Sequence, residues 1–82
     1  MEKQLILVTV SGPDKPGITA KLTQKISANA HFIEDMGQSV THGLLSLSIL
    51  IRMNTSNGSH LLKDLLFEAK KLGLALDFEA IE

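Results

Sequence analysis

The residues of this sequence best suited to hold a ligand lie in a turn rich in glycine and proline, residues 11–19. The turn contains both prolines of the chain and two glycines, and it joins an apolar run to an amphipathic segment. A helix starting near Pro16 and Gly17 would present unpaired N–H groups and the positive end of its dipole, which suits a carboxylate. Asp14 adds a negative charge beside it. The turn therefore predicts a zwitterionic ligand, with its carboxylate on the main chain and its ammonium on Asp14.

Gly12 and Gly17 supply backbone freedom in this turn and let another group approach the main chain closely. The competing interpretation is structural: the glycines and prolines make only a tight turn, and Asp14 caps the helix. A nucleotide-binding P-loop is disfavoured, because Ile18 stands where such a loop needs lysine.

Size and composition describe one small domain, residues 1–82. Apolar residues make up 44% of the chain, charged residues make up 21%, and the formal net charge is −1, as in an ordinary globular domain. The lack of a basic cluster argues against nucleic-acid and membrane partners. There is no cysteine, and the three histidines lack helical spacing, so no metal is expected. No cofactor is expected either, and the lack of a long apolar run predicts a cytoplasmic protein.

The hydrophobic patterns predict six elements in the order β-α-β-β-α-β. Strands are expected at residues 4–10, 32–41, 45–53 and 74–80, and helices at about residues 18–29 and 61–72. Local signals predict a bulge near Gly37, a tight reversal at His42 and Gly43, a helix cap at Ser56 or Ser59, and a helix stop at Gly73. The order gives an α+β fold, the ferredoxin-like βαββαβ sandwich, with one four-stranded antiparallel sheet and two helices on one face.

Two helices on one face leave the other face of the sheet open. Leu5, Leu7, Leu44 and Leu50 are expected to point to this open face, and an apolar patch there usually meets a second copy or a neighbouring domain. An uncovered edge strand, the second, is the other expected contact. The sequence therefore predicts a homodimer, joined through the sheet edge or through the open face.

Two segments of the chain resemble an ACT domain, the small-molecule-sensing module attached to many enzymes of amino-acid metabolism. They are the strand-turn-helix segment at residues 8–18 and the hairpin at residues 33–50, and the resemblance covers nearly the whole chain. The hairpin is also similar to that of the N-terminal ACT domain of two-part, SerB-like phosphoserine phosphatases. The residues that carry this similarity are Gly37, Gln38, His42, Leu45, Ser46 and Leu47. Residues 77–81 resemble the point where that domain leads into the phosphatase part.

The resemblance implies an amino-acid ligand, with L-serine favoured because it is the end product of the pathway. The ligand would lie between the turn of one subunit and the start of the second strand, or the end of the first helix, of a partner. Asp14 would be the binding side chain, and Gly17 and Ile18 would offer main-chain groups.

Phe32 departs from the family pattern. Many ACT domains have an asparagine there that can contact the ligand from the partner side, so this chain lacks one polar contact. The side chains that could replace it are His31, Asp35 and Gln38, and the sequence does not choose among them.

No catalytic residue is predicted. A phosphatase of this kind needs an aspartate nucleophile in an Asp-x-Asp-x-Thr motif, which these residues lack. The chain is therefore expected to be either the regulatory fragment of a phosphoserine phosphatase or a free-standing ACT protein. The alternative function is a ligand-free ACT fold that acts only as a dimerisation or interaction module. Phe32 favours this alternative, whereas Asp14 and Gly17 favour the sensor.

Overall fold

The computed structural model describes residues 3–28, 32–54 and 58–81. Its elements are β1 (Lys3–Pro13), α1 (Ile18–Ala28), β2 (Phe32–Thr41), β3 (Leu44–Asn54), α2 (Gly58–Lys71) and β4 (Ala75–Ile81). The strands form one antiparallel sheet in the order β2-β3-β1-β4, so β1 and β3 are central and β2 and β4 are the edges. The predicted ferredoxin-like fold is confirmed.

The core lies between the two helices and one face of the sheet. Alternate residues of β1 and β3 are buried, because successive side chains of a strand point to opposite faces. α1 contributes Ile18, Leu22 and Ile26, whose spacing of four residues places them on one side of the helix. The rest of the core is Ile6, Val8, Val10, Leu45, Leu47, Ile49, Ile51, Met53, Leu61, Leu65, Ala69 and Leu74. Each large side chain buried here contributes about 1.5–3 kcal/mol, and together they fix α1 over the sheet.

α2 ends at Lys71, two residues before the glycine that predicts its end. Gly73 adopts a φ of +74°, in the left-handed region. The N–H of Leu74 donates to the carbonyl of Ala69 at 2.8 Å, and the N–H of Gly73 donates to the carbonyl of Lys70 at 3.2 Å. These are the two hydrogen bonds of a Schellman motif, so the predicted helix stop is confirmed.

Ser59 does not cap α2. α2 begins at Gly58, so Ser59 lies inside the helix and the prediction of a cap there is wrong, because a cap residue precedes the first turn. Ser56, the other predicted cap, lies outside the described residues. Among the residues that are described, no helix has the length and apolar character needed to span a membrane.

β1 continues past its predicted end, Val10, to Pro13. Residues 11–13 were predicted to belong to the turn, but they pair with residues 44–46 of β3. Gly12 allows this extension because it packs directly against Leu74, where the chain leaves α2. A Cβ atom on Gly12 would lie 2.8 Å from Leu74 Cδ2 and 3.3 Å from Leu74 Cα.

β2 contains a bulge, but not where the sequence predicted it. The register against β3 shifts between Ile33 and Asp35, whereas Gly37 keeps the regular pairing, so the prediction near Gly37 is wrong. The residue in the shift, Glu34, forms an ion pair with Arg52 of β3. An extra residue held by a cross-strand charge pair explains why the apolar residues of β2 do not alternate strictly.

The open face of the sheet carries the leucines predicted for it. Leu7 of β1 lies opposite Leu50 of β3, and Leu5 lies opposite Ile81 of β4. Leu44, at the start of β3, is 59% exposed. An apolar surface therefore remains on the side of the sheet away from the helices.

Candidate functional site

α1 begins at Ile18, and Gly17 occupies the N-cap position. The carbonyl of Gly17 accepts the N–H of Lys21 at 3.0 Å, which is the first hydrogen bond of the helix, and Gly17 adopts a φ of +84°. Pro16 was predicted in the first turn of the helix, but it lies in the bend before the cap, because the left-handed φ of Gly17 separates it from the helix. The N-cap residue therefore has no side chain to satisfy the first turn.

The first turn of α1 keeps unpaired N–H groups. Within the described part of the chain, no side chain or carbonyl accepts a hydrogen bond from the N–H of Ile18, Thr19 or Ala20. The alternative in which Asp14 caps the helix is wrong, because Gly17 is the cap and the Asp14 carboxylate makes no hydrogen bond to any described residue. Three N–H groups and the helix dipole are thus available to an anion.

A cavity of about 450 Å³ lies against this turn, and we call it the loop pocket. Its lining residues are Asp14, Lys15, Pro16, Gly17, Ile18, Thr19, Ala20 and Gln38. Of the predicted ligand-binding residues, Asp14, Gly17, Ile18 and Gln38 line it together. All the lining residues except Gln38 belong to the loop after β1 and the first turn of α1. The loop pocket therefore combines main-chain donors, one carboxylate and one amide side chain from the sheet.

Two long-range hydrogen bonds hold the loop that forms the pocket. The N–H of Asp14 donates to the carbonyl of Gly43 at 2.9 Å, and the ammonium of Lys15 donates to the carbonyl of Leu72 at 3.4 Å. The second bond places a cation at the C-terminal end of α2, where the helix dipole favours it. The Asp14 amide is bonded internally and is therefore not available to a ligand.

The turn that holds the Asp14 amide joins β2 to β3. His42 has a φ of +53° and Gly43 a φ of +74°, and two positive φ values in a two-residue loop are those of a type I′ turn. The tight reversal predicted at these residues is confirmed. It fixes the Gly43 carbonyl rigidly, because a type I′ turn matches the twist of the two strands.

Gln38 is tied to the helix by Thr19. The hydroxyl of Thr19 donates to Oε1 of Gln38 at 2.8 Å. Gln38 lies opposite the buried Leu47, so it sits on the helix-facing side of β2. Thr19 was not among the predicted site residues. Its hydroxyl in the first turn of the helix was visible in the sequence, but its pairing with a residue of β2 depends on how helix and sheet pack.

Two predicted ligand residues lie away from the loop pocket. Gly12, at the end of β1, lines a different cavity of about 540 Å³ beside the turn between β2 and β3. Asp35 lies opposite Leu50, on the open face, because the bulge of β2 precedes it. Of the three side chains that could replace the missing asparagine, His31 lies outside the described residues, Asp35 faces away, and Gln38 lines the loop pocket.

A further cavity, of about 470 Å³, lies between the two helices. It is lined by Lys21, Gln24, Lys25, Ala28 and Glu68. Glu68 is only 8% exposed, and its carboxylate lies 3.6 Å from the Lys25 ammonium, so this ion pair links α1 to α2. In the described residues, no group of three or more histidine, aspartate or glutamate side chains is placed to bind a metal.

Comparisons with known proteins extend these observations. The UPF0237 protein MMP0657 of Methanococcus maripaludis is 35% identical over 46 residues, which cover 56% of this chain and 51% of that protein. A solved structure assigned as a glycine cleavage system transcriptional repressor matches all of the chain and 48% of its own, with a TM-score of 0.94 at 20% identity. An ACT domain protein from Streptococcus pneumoniae matches 94% of the chain and 89% of its own, with a TM-score of 0.76 at 20% identity.

The chain thus spans about half the length of the curated relative and of the repressor structure, and the structural matches, at 20% identity, establish the fold alone. The narrower resemblance to phosphoserine phosphatases gains no support from these comparisons. A family model described as an ACT domain matches residues 4–79. Because this match spans nearly the whole sequence, the chain belongs to the ACT domain family, whose members are typically regulatory domains that sense small molecules.

Proposed function

We propose that this ACT domain binds a small amino acid, with L-serine as the first candidate, in the loop pocket. The observation that carries the proposal is the uncapped start of α1. Gly17 leaves the N–H groups of Ile18, Thr19 and Ala20 without partners beside a cavity of about 450 Å³, and Asp14 stands at its rim. A ligand with one carboxylate and one ammonium matches both charges.

The ligand carboxylate would accept hydrogen bonds from the first turn of α1. Hydrogen bonds to ionised groups are stronger than neutral ones, and the helix dipole adds about 0.3–1 kcal/mol for an anion near the surface. The ligand ammonium would lie against the Asp14 carboxylate, which makes no hydrogen bond to any described residue. The loop needs little rearrangement to bind, since the Asp14 amide is already held by Gly43.

Asp14→Asn is expected to weaken amino-acid binding about tenfold, because it removes the charge that faces the ammonium while keeping the size of the side chain. Isothermal titration with serine, glycine and alanine measures this directly. Wild type should bind at least one of them with a Kd below about 1 mM. Asp77→Asn is the matched control, because Asp77 is exposed and pairs in register with Thr9 of β1, far from the loop pocket.

Failure of the wild type to bind any of these amino acids below the millimolar range would contradict the proposal. Equal affinities of wild type and Asp14→Asn would instead remove Asp14 from the site. Binding lost equally in Asp77→Asn would point to a general charge effect rather than to the loop pocket.

We further propose that the domain forms a homodimer through the edge of β2. Of the large apolar side chains exposed in the described residues, three lie on this strand, namely Phe32 (64%), Met36 (45%) and Val40 (47%). An edge strand also offers unpaired backbone N–H and C=O groups to a second copy. Gln38 of the loop pocket lies on the same strand, so ligand binding and pairing of two copies would influence each other.

Val40→Lys is expected to convert the dimer to a monomer, because it places a charge where the second copy would pack. Sedimentation equilibrium measures the mass, and Phe67→Lys is the control because Phe67 is 66% exposed on α2. A dimer that persists in Val40→Lys but dissociates in Leu7→Lys would assign the interface to the open face instead.

The regulated enzyme, in this proposal, is a phosphoserine phosphatase, and the support for it is the resemblance of the hairpin at residues 33–50. The second candidate function is a ligand-free interaction module. Phe32 favours it, because this residue is 64% exposed where a polar contact to the ligand was expected. Titration separates the two candidates: the module dimerises without binding an amino acid, whereas the sensor does both.

A further inference from the structure

Gln38 is a polar residue in an apolar row. The helix-facing residues of β2 are Ile33, Met36, Gln38 and Val40, which lie opposite buried residues of β3. Met36, Gln38 and Val40 are exposed, so the side chain of Gln38 is open to a ligand on this side of the strand. Among the described residues, Gln38 is the one lining residue of the loop pocket that comes from the sheet.

The amide of Gln38 is oriented by Thr19. The Thr19 hydroxyl donates to Oε1 at 2.8 Å, so the oxygen side of the amide is engaged. The two hydrogens on Nε2 have no acceptor among the described residues. A carboxamide held by its oxygen presents its N–H groups as donors in a fixed direction. Gln38 therefore offers a hydrogen-bond donor on the wall of the loop pocket that faces α1.

We propose that Gln38 donates a hydrogen bond to the side chain of the bound amino acid. It would thereby favour amino acids whose side chain carries a hydrogen-bond acceptor, such as a hydroxyl or a carbonyl. This inference rests on the proposed function. The carboxylate and ammonium common to all amino acids are matched by the first turn of α1 and by Asp14, which leaves the ligand side chain for the remaining wall. Thr19 is the positioning residue, because it fixes which end of the Gln38 amide meets the ligand.

Serine and alanine are the probes, because they differ only by a hydroxyl group. Isothermal titration of the wild type is expected to give serine a Kd about three to ten times lower than that of alanine, the range of one net hydrogen bond. Gln38→Leu should bring this ratio close to one. Gln24→Leu is the matched control, since Gln24 is exposed on α1 and lines the cavity between the helices instead.

Thr19 has its own test. Thr19→Val removes the hydroxyl and keeps the shape, so the serine-to-alanine ratio should fall, whereas Thr19→Ser keeps the hydroxyl and should restore it. If Thr19 had only a structural role, the two variants would show the same serine-to-alanine affinity ratio. Backbone amide NMR spectra of every variant would establish that the fold is retained.

The outcomes separate this inference from the proposed function. If serine and alanine bind the wild type equally, or if Gln38→Leu keeps the ratio, Gln38 does not read the side chain, while amino-acid binding at the loop pocket stands. If Gln38→Leu weakens both amino acids equally, Gln38 contacts their common part and the inference is overturned. If the wild type binds neither, both the inference and the proposed function fall.

Discussion

Leu22→Ala is expected to lower the free energy of unfolding by about 3 kcal/mol, within the range of roughly 2–5 kcal/mol for buried leucine-to-alanine changes. Leu22 is 1% exposed and is the middle of the three residues that attach α1 to the sheet. A domain of this size has a total stability of about 4–12 kcal/mol, so the loss is a large part of it. The cavity left behind cannot close easily, because the facing residues are held in the central strands.

Urea denaturation, monitored by circular dichroism, measures this change from the shift in the midpoint urea concentration, provided that the m-value of the two proteins is the same. Gln24→Ala is the control, because Gln24 is exposed on the same helix and should change the free energy of unfolding by about 0.5 kcal/mol or less. A loss of less than about 1 kcal/mol for Leu22→Ala would contradict the packing of α1 described above. Where the variant remains folded, amino-acid binding should weaken too, since α1 provides the N–H groups of the loop pocket.

Gly12→Ala is expected to destabilise the domain by about 1–3 kcal/mol, because a side chain there has neither room nor a favourable backbone conformation. The added Cβ would meet Leu74 Cδ2 at 2.8 Å and Leu74 Cα at 3.3 Å, and the φ of Gly12 is +149°. The Leu74 side chain can rotate away, but its main chain is held by the hydrogen bond to Ala69 that closes α2. The strain therefore falls on the contact between β1 and the end of α2.

Gly37→Ala is the matched control for this substitution. No atom lies within 4 Å of a Cβ added at Gly37, and its φ lies outside the left-handed region. Restricting the unfolded chain should leave this variant as stable as the wild type or up to about 1 kcal/mol more stable. If thermal denaturation shows that Gly12→Ala is as stable as Gly37→Ala or more stable, the close approach of Gly12 to Leu74 does not affect the stability of the domain.

The fold was predictable because its strongest signals are local. β3 has an apolar residue at every second position over residues 45–53, and the structure buries this set on the helix side. The sequence predictions are wrong where pairing with another strand determines the structure. The end of β1 at Pro13 depends on its partner β3, and the bulge after Ile33 accompanies the ion pair between Glu34 and Arg52. Neither contact leaves a signal in the neighbouring sequence.

The candidate site was predictable to the extent that it is one continuous segment. Asp14, Gly17 and Ile18 belong to the same loop and first helical turn, so their proximity follows from chain connectivity. The place of Gln38 in the site does not follow from connectivity, because the bulge of β2 determines which face of the sheet Gln38 occupies. Gly12 was placed in the site by its residue type, whereas the structure uses its lack of a side chain for close packing against Leu74.

The position of β1 at the centre of the sheet also constrains how this chain acquires its structure. Val8 lies opposite Ile49 on one side and Phe78 on the other, so β1, the first strand of this domain, gains its second neighbour only when β4 pairs with it. Pairings between distant segments slow folding, since loop closure costs entropy before any contact compensates for it. During translation the edge of β1 that pairs with β4 therefore stays exposed until almost the whole domain has left the ribosome, and this interval is when chaperones or early association with another nascent chain would act on it.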